Sequence, residues 1–346
     1  MKRYTLFTCF LALLISCSDD KVPDVSSIKV NLQVERFEKD FFAVDTNNIS
    51  ASLKEIAAKY PGFLTDFTVN ILGLPPLSDT SVETHKAIKR FISDYRPLKD
   101  SADKVFADFK DIEAPIRKGL QFVKYYFPEY KLPEKLFTFI GPMDAYYEAS
   151  LGGYGDALTR DGMATGLQLH LGSQFSFYHS PMGQALYPNY ISRRFSPEYI
   201  PVNCMKNIID DIYPQQPGGK ALVEQMIEKG KRLYVLDKLM PHTPDTLKIG
   251  YSKKQLEGCY ANEGRIWNFF VINSLLLNTD PSIQKNYIGE APSTPELGEG
   301  SPGSIGYFIG WQIVKKFMEK NDQLSLTQLL QTSSKKIFEE SKYRPK

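Results

Sequence analysis

The chain has 346 residues, is 42% apolar and 13% aromatic, and carries 42 Lys+Arg against 40 Asp+Glu. That apolar content is enough for a core, and the length fits one large domain or two. The charge is nearly balanced with no basic stripe, which argues against a nucleic-acid binder, and no apolar run reaches the ~20 residues that span a bilayer. At the start, Met1, Lys2 and Arg3 precede an uncharged run from Tyr4 to Ile15. This is the basic n-region and short apolar h-region of a secretory signal.

The run ends in Leu14-Ile15-Ser16-Cys17, which resembles the lipobox of bacterial lipoproteins. The resemblance implies a mature chain starting at Cys17, with a diacylglyceryl thioether and an N-acyl chain. Two or three acyl chains anchor far better than one, at ~0.8 kcal/mol per buried CH₂. The plain alternative is an ordinary signal peptide that ends in Cys by chance. Residues 1–16 contain two basic residues and no acid, so removing them leaves a formally neutral mature chain. Ser18-Asp19-Asp20 resembles the acidic export tag that follows the lipid cysteine in surface lipoproteins of the Bacteroidetes. A solvated tether explains the same letters, so the periplasmic face and the cell surface both stay open. We divide the chain into a signal peptide (1–16), a polar tether after lipidated Cys17 (17–28) and one globular domain (29–346).

Within that domain, Ile28 to Phe37 alternates like a half-buried strand. "NNISASLKEIAAKYPGFL" predicts a helix opened by Asn48 or Ser50 and closed by Pro61. "DTSVETHKAIKRFISDYRP" predicts a second helix, with His85 on its polar side, and "SADKVFADFKDIEAPIRKGLQFVKYYFP" a third and fourth. "KLFTFIG", Lys135 to Gly141, predicts a short buried strand. "YEASLGGYGDALTRDGMATGLQLHLG" predicts two or three strands with tight turns, with His170 on one of them. Ser196-Pro197 predicts the start of a helix with Tyr199, Val202, Met205, Ile208, Ile209 and Ile212 on one face. "KALVEQMIEKGKRLYVLDKLMP" predicts the next helix, stopping before Pro241. Ser252 to Gln255 is a capping box opening a helix through "LEGCYANEGRIWNFFVINSLLL". Ser301-Pro302 opens the last long one, in which Gly306 and Gly310 lie one turn apart and allow a close helix approach. The fold class is α+β: a single, mostly helical domain with a small mixed sheet. Apart from the export segment only Cys204 and Cys259 remain. An oxidising envelope permits a disulfide between them, but each sits at an apolar helix position, as buried thiols do.

"VERFEKDFF", "YPGFLTDFTVNILGL", "PNYISRRFSPEYIPVNCMKNIIDDIYP" and "GSPGSIGYFIGWQIVKKF", in this order, resemble the gliding-motility lipoprotein GldB family over nearly the whole mature chain. The resemblance implies an outer-membrane envelope lipoprotein serving gliding motility and the associated secretion machinery through contacts with other envelope proteins. That family is similar, more distantly, to predicted zinc peptidases, which implies a zincin-like arrangement. Their Gly-Tyr-x-x-Gly helix survives as Gly306-Tyr307-Phe308-Ile309-Gly310. Their His-Glu-x-x-His does not: Asn203-Cys204-Met205-Lys206-Asn207 aligns with it, and Lys229-Gly230 falls where an acidic ligand would precede Gly, with Glu228 one residue away. Carboxamides are poor zinc ligands and a Lys repels the ion, and without the metal no water is activated. The implied scaffold is therefore a pseudo-peptidase with vestigial positions Asn203, Asn207 and Lys229, no catalytic residue and no cofactor. The simpler reading makes Asn203, Asn207 and Asp210 the solvated side of an amphipathic helix.

His170, His179 and His242 show no metal spacing. His179-Ser180 lacks a Gly-x-Ser-x-Gly elbow, and the Gly-rich "GGYGDA" and "GEGSPGSIG" lack P-loop or dinucleotide context. Two functions from different classes follow. One is a non-catalytic interaction protein. The other is a divergent zinc-dependent hydrolase of the envelope, using His170 or His179 as ligands. A glycan-binding role is weaker, because Trp267 and Trp311 fall within apolar helix patterns.

Overall fold

The computed structural model describes residues 22–76, 82–144, 155–215 and 218–346. The signal peptide, Cys17 and the start of the tether up to residue 21, and the first half of "YEASLGGYGDALTRDG" lie outside them. The described chain is mostly helical around one small sheet, and its apolar side chains form a single core running from Val25 to Tyr343. Val25 is fully buried, and the carbonyl of Ile28 accepts from Gln121 Nε2 at 2.8 Å.

The sheet has four strands in the order β1(Gln33–Glu35), β2(Lys135–Phe139), β4(Gly162–Gly166), β3(Asp156–Thr159). β1 and β4 run parallel to β2, and β3 is antiparallel to β4. The strand expected at Ile28 to Phe37 is cut to three residues, because the chain turns into the Phe37–Phe42 helix as soon as Phe37 reaches the core. β2 and β4 are buried on both faces, so they read as apolar or small-residue runs without alternation. His170 is not on a strand. β4 gives way to a single 3-10 turn, Leu167–Leu169, and His170 follows it.

Aromatic rings fill one side of the sheet. Phe63 stacks on Phe137 with centroids 4.3 Å apart, and Phe67 packs edge to face on Phe37 at 4.9 Å and on Phe41 at 4.8 Å. The high aromatic content is therefore largely interior, with Tyr125 and Tyr260 among the partly exposed exceptions. Trp267 and Trp311 are both buried, and the Trp311 indole donates to Asp237 Oδ2 at 2.7 Å.

The helices of the C-terminal half set up the cleft described below. The Tyr199–Ile212 helix begins with Glu198 as its N-cap, later than Ser196-Pro197 implied. Tyr199 and Ile200 N–H groups first close a turn onto the carbonyls of Ser196 and Pro197. The Leu222–Leu239 helix stops before Pro241. Ser252 and Gln255 form a reciprocal capping box opening the Lys253–Ala261 helix. The single long helix expected after it is two, because Asn262 breaks the run and the Glu263–Ile272 helix starts afresh. The last long helix, Ile305–Met318, has Ser304 as N-cap rather than Ser301, whose hydroxyl bonds the carbonyls of Thr294 and Gly298. Here Leu222–Leu239 and Ile305–Met318 touch backbone to backbone. A methyl group on Gly310 would overlap the Met226 carbonyl, and one on Gly230 would overlap the Gly310 carbonyl. A Cβ on Gly306 would lie 3.0 Å from Met226 Cγ, Ile288 Cγ2 and the Tyr287 carbonyl oxygen. Cys204 and Cys259 are both free and buried, and burial pushes both thiols up, away from the thiolate form.

Candidate functional site

A cleft of about 240 Å³ opens between the Tyr199–Ile212 and Leu222–Leu239 helices. Residues 190–195 wall one side, the turn at Lys248 to Tyr251 another, and the start of the Ile305–Met318 helix closes the end with Gly303, Ser304 and Tyr307. Gly250 sits in the left-handed region, at φ +80°, which L side chains rarely adopt. That turn aims its carbonyl at Arg193 Nη2, 2.9 Å away.

The cleft is cationic. Two of its positive groups face carboxylates: Arg194 pairs with Glu290 at 3.1 Å and Arg232 with Asp210 at 2.8 Å. Lys248, at the rim, pairs with Asp237 and Asp245. Three others find neutral acceptors or none. Arg193 donates Nη1 to Gln255 Oε1 at 2.8 Å and Nη2 to the Gly250 carbonyl, and its buried Nε has no partner. Lys229 donates to Gln215 Oε1 at 2.9 Å and lies over the Tyr307 ring. Lys206 has neither hydrogen bond nor ion pair among the described residues. Removal from water disfavours each charge. Burial, then the neighbouring Arg194, lowers the Lys206 amine to about 8 against the pull of Glu290 and Asp210. Burial and Arg232 lower Lys229, and burial and Arg194 lower Arg193. The ring hydroxyls of Tyr199, Tyr251 and Tyr307 are pushed up by burial and stay protonated.

Beneath this cleft lies a closed polar knot. Asp156 is fully buried, and its carboxylate accepts from Thr165 Oγ1, from Asn203 Nδ2 at 2.6 Å and from His170 Nε2 at 2.9 Å. The other ring nitrogen of His170 lies 3.3 Å from the Ser196 carbonyl oxygen. Both nitrogens are thus engaged, and a buried carboxylate so surrounded needs no further cation.

Of the vestigial positions, Asn203 and Lys229 line the cleft, whereas Asn207 is buried away from its lining, its Oδ1 without a partner. The amide of Asn203 is turned down onto Asp156. Glu228 is taken up elsewhere: Lys231 lies 3.2 Å away, Lys220 3.5 Å, and Ser334 donates to it at 2.5 Å. Burial alone would raise its carboxyl, but that hydroxyl and the Lys231 charge outweigh burial and hold it below the usual value. His179 and His242 are exposed, and His179 Nε2 bonds the Ser173 carbonyl. Among the described residues no three His, Cys, Asp or Glu stand together as a metal site would need. Sequence reasoning missed Arg193, Lys206 and Glu290. The available signal was "SRRF", two adjacent arginines between a serine and a phenylalanine, and a Lys inside the motif-aligned stretch itself.

A family model, Gliding motility protein GldB, matches residues 18–345. No curated protein and no solved structure matches the chain. Since the match spans nearly the whole chain, the protein belongs to the GldB family of gliding motility lipoproteins. Among its described residues no helix is long and apolar enough to cross a membrane.

Proposed function

We propose that this GldB-family chain is a non-catalytic envelope lipoprotein. It is held at the outer membrane by acyl chains on Cys17, and it serves the gliding machinery and its associated secretion apparatus by contact with other envelope proteins. The signal peptide leaves at residue 16, and a short tether connects the lipid to the folded domain. The family supports the motility role, and Leu14-Ile15-Ser16-Cys17 supports the anchor.

One observation carries the non-catalytic reading. Asn203 and Lys229, which stand where the resemblance would put metal ligands, line a cleft rich in cations, and the amide of Asn203 is committed to Asp156. A cleft with Arg193, Lys206 and Lys229 unmatched by carboxylates repels a divalent cation. The residues therefore do not fit zinc. The test is metal analysis of the full chain extracted in detergent, with zinc supplied in the growth medium. Far less than one zinc per chain is expected. Stoichiometric zinc, lost together with a peptidase activity when His170 or His179 is replaced, would instead establish the divergent hydrolase. Separately, Cys17→Ala is expected to leave the chain unlipidated and move it from the membrane to the soluble fraction. Unchanged membrane retention on fractionation would refute the anchor.

A further inference from the structure

We infer that the cleft between the Tyr199–Ile212 and Leu222–Leu239 helices is a binding site for a phosphoryl group borne on a small organic remainder, that is, a phosphate monoester. Three positive side chains converge on one cavity without an ion pair to any carboxylate, Arg193, Lys206 and Lys229, and the cations lining the cavity outnumber its carboxylates, Asp210 and Glu290. Folding has brought them together although each charge is disfavoured by its surroundings, and neighbouring Arg194 and Arg232 already use up Glu290 and Asp210. A site with that surplus is completed by an anion carrying more than one charge. A phosphate monoester carries about −1.5 to −2 at pH 7 and presents three acceptor oxygens, one for each unmatched cation. A single carboxylate offers one charge and two oxygens. Arg193 has its guanidinium plane fixed by two neutral acceptors, and its buried Nε–H has no partner, so its charge is not neutralised from within the chain.

Two further features agree. The fourteen-residue Ile305–Met318 helix begins at the cleft, and its N-cap, Ser304, gives it no side-chain cap: that hydroxyl is spent on the Gly289 carbonyl at 2.6 Å. The end of the helix dipole that favours anions therefore borders the cavity. The Tyr199, Tyr251 and Tyr307 side chains also line it. The Tyr251 hydroxyl is already used on the Ser304 carbonyl, at 2.9 Å. These rings leave apolar faces for the organic part of the ligand. This inference is independent of the scaffold reading, since an anion site serves a silent protein and an enzyme equally.

The phosphoryl group can come from a soluble metabolite or from a lipid headgroup, and the experiment separates them. Glycerol 3-phosphate and inorganic phosphate are titrated calorimetrically into the full chain in detergent at constant ionic strength. The same chain is then offered lipid nanodiscs with and without phosphatidic acid. Glycerol 3-phosphate is expected to bind, and Lys206→Gln and Lys229→Gln each to weaken it at least tenfold with no fall in melting temperature. Binding of phosphatidic acid nanodiscs alone, weakened by the same variants, would support the phosphoryl site and assign it to a lipid. No binding in any arm would overturn the inference. So would affinities unmoved by both variants, or succinate binding as tightly as glycerol 3-phosphate.

Discussion

Phe37, Phe41, Phe63, Phe67, Phe137 and Phe139 pack ring against ring on the sheet, whereas the cleft gathers Arg193, Lys206 and Lys229, none of them in an ion pair, although Asp210 and Glu290 line the same cavity. The first region is stabilised by its own contacts: every large side chain touches several others, and removal from water is favourable for each. The second is held in place by what surrounds it, because the charges themselves gain nothing from being there. The sheet and its rings act as foundation, since the Tyr199–Ile212 helix rests on β3 and on the Lys110–Tyr126 helix, where Met205 fills the space left by Gly119. Near the sheet the buried Asp156 carboxylate is saturated, accepting from Thr165, Asn203 and His170, although Gln168 close by keeps a buried Nε2 without a partner. In the cleft Arg193, Lys206 and Lys229 are left without an ion pair, the surplus on which the proposed anion site rests.

The comparison can be broken most forcefully on the aromatic side. Phe63→Ala removes a ring stacked at 4.3 Å on Phe137 and in contact with Phe37, and is expected to cost ~3–5 kcal/mol. Chemical denaturation would measure it, and a loss below ~1 kcal/mol would mean that the cluster is loosely packed. Gly310→Leu tests the helix seam. With the Met226 carbonyl already against Gly310, overpacking is expected to cost ~3 kcal/mol or more, and an unaltered melting temperature would show that the two helices are further apart.

Lys206→Met probes the cleft and should act in the opposite direction. The amine is lowered to about 8 from its ordinary 10.5, and one pKa unit is worth ~1.4 kcal/mol. Water in the open cleft returns part of this, so the variant is expected to be more stable by ~1–2 kcal/mol near pH 7 while losing anion affinity. A destabilised Lys206→Met would show that the amine has a partner. The smallest effect is the pH dependence. Below about pH 8 both the folded and unfolded chains hold the proton and the cost is present in full. Between there and 10.5 the folded chain has shed it while the unfolded chain has not, so stability rises with pH across that window. The groups facing Lys206 are Arg193, Arg194, Lys229, Arg232, Asp210 and Glu290. Anion affinity should fall over the same range, and a calorimetric series from pH 7 to 10 that stayed flat would remove Lys206 from the site.

Much of this was readable beforehand. The helix at Ile49–Lys59, the capping box at Ser252 and the buried strand Lys135–Phe139 follow from local pattern, because turn chemistry and burial act over a few residues. What the pattern misjudged were ends and breaks. Ser196 and Ser301 look like caps but are spent on turns before the helices start, and Asn262 splits a run that is apolar on both sides. The cleft was half legible. Asn203 and Lys229 were picked out for the metal they cannot hold, but Arg193 and Glu290 come from segments about ninety-seven positions apart in the chain, and only the fold makes them neighbours. A charge surplus is a property of a place, and no local window in a sequence reports it.

The glycine contact between the Leu222–Leu239 and Ile305–Met318 helices has a steering effect on chemistry. Gly230 must face its neighbour, since no other residue fits there, and successive residues on a helix are separated by ~100° of rotation. Once Gly230 is pinned, the azimuth of Lys229 is decided as well, and the amine has no freedom to swing to another face by a twist of the helix. Two hydrogen atoms in place of side chains thereby aim a positive charge.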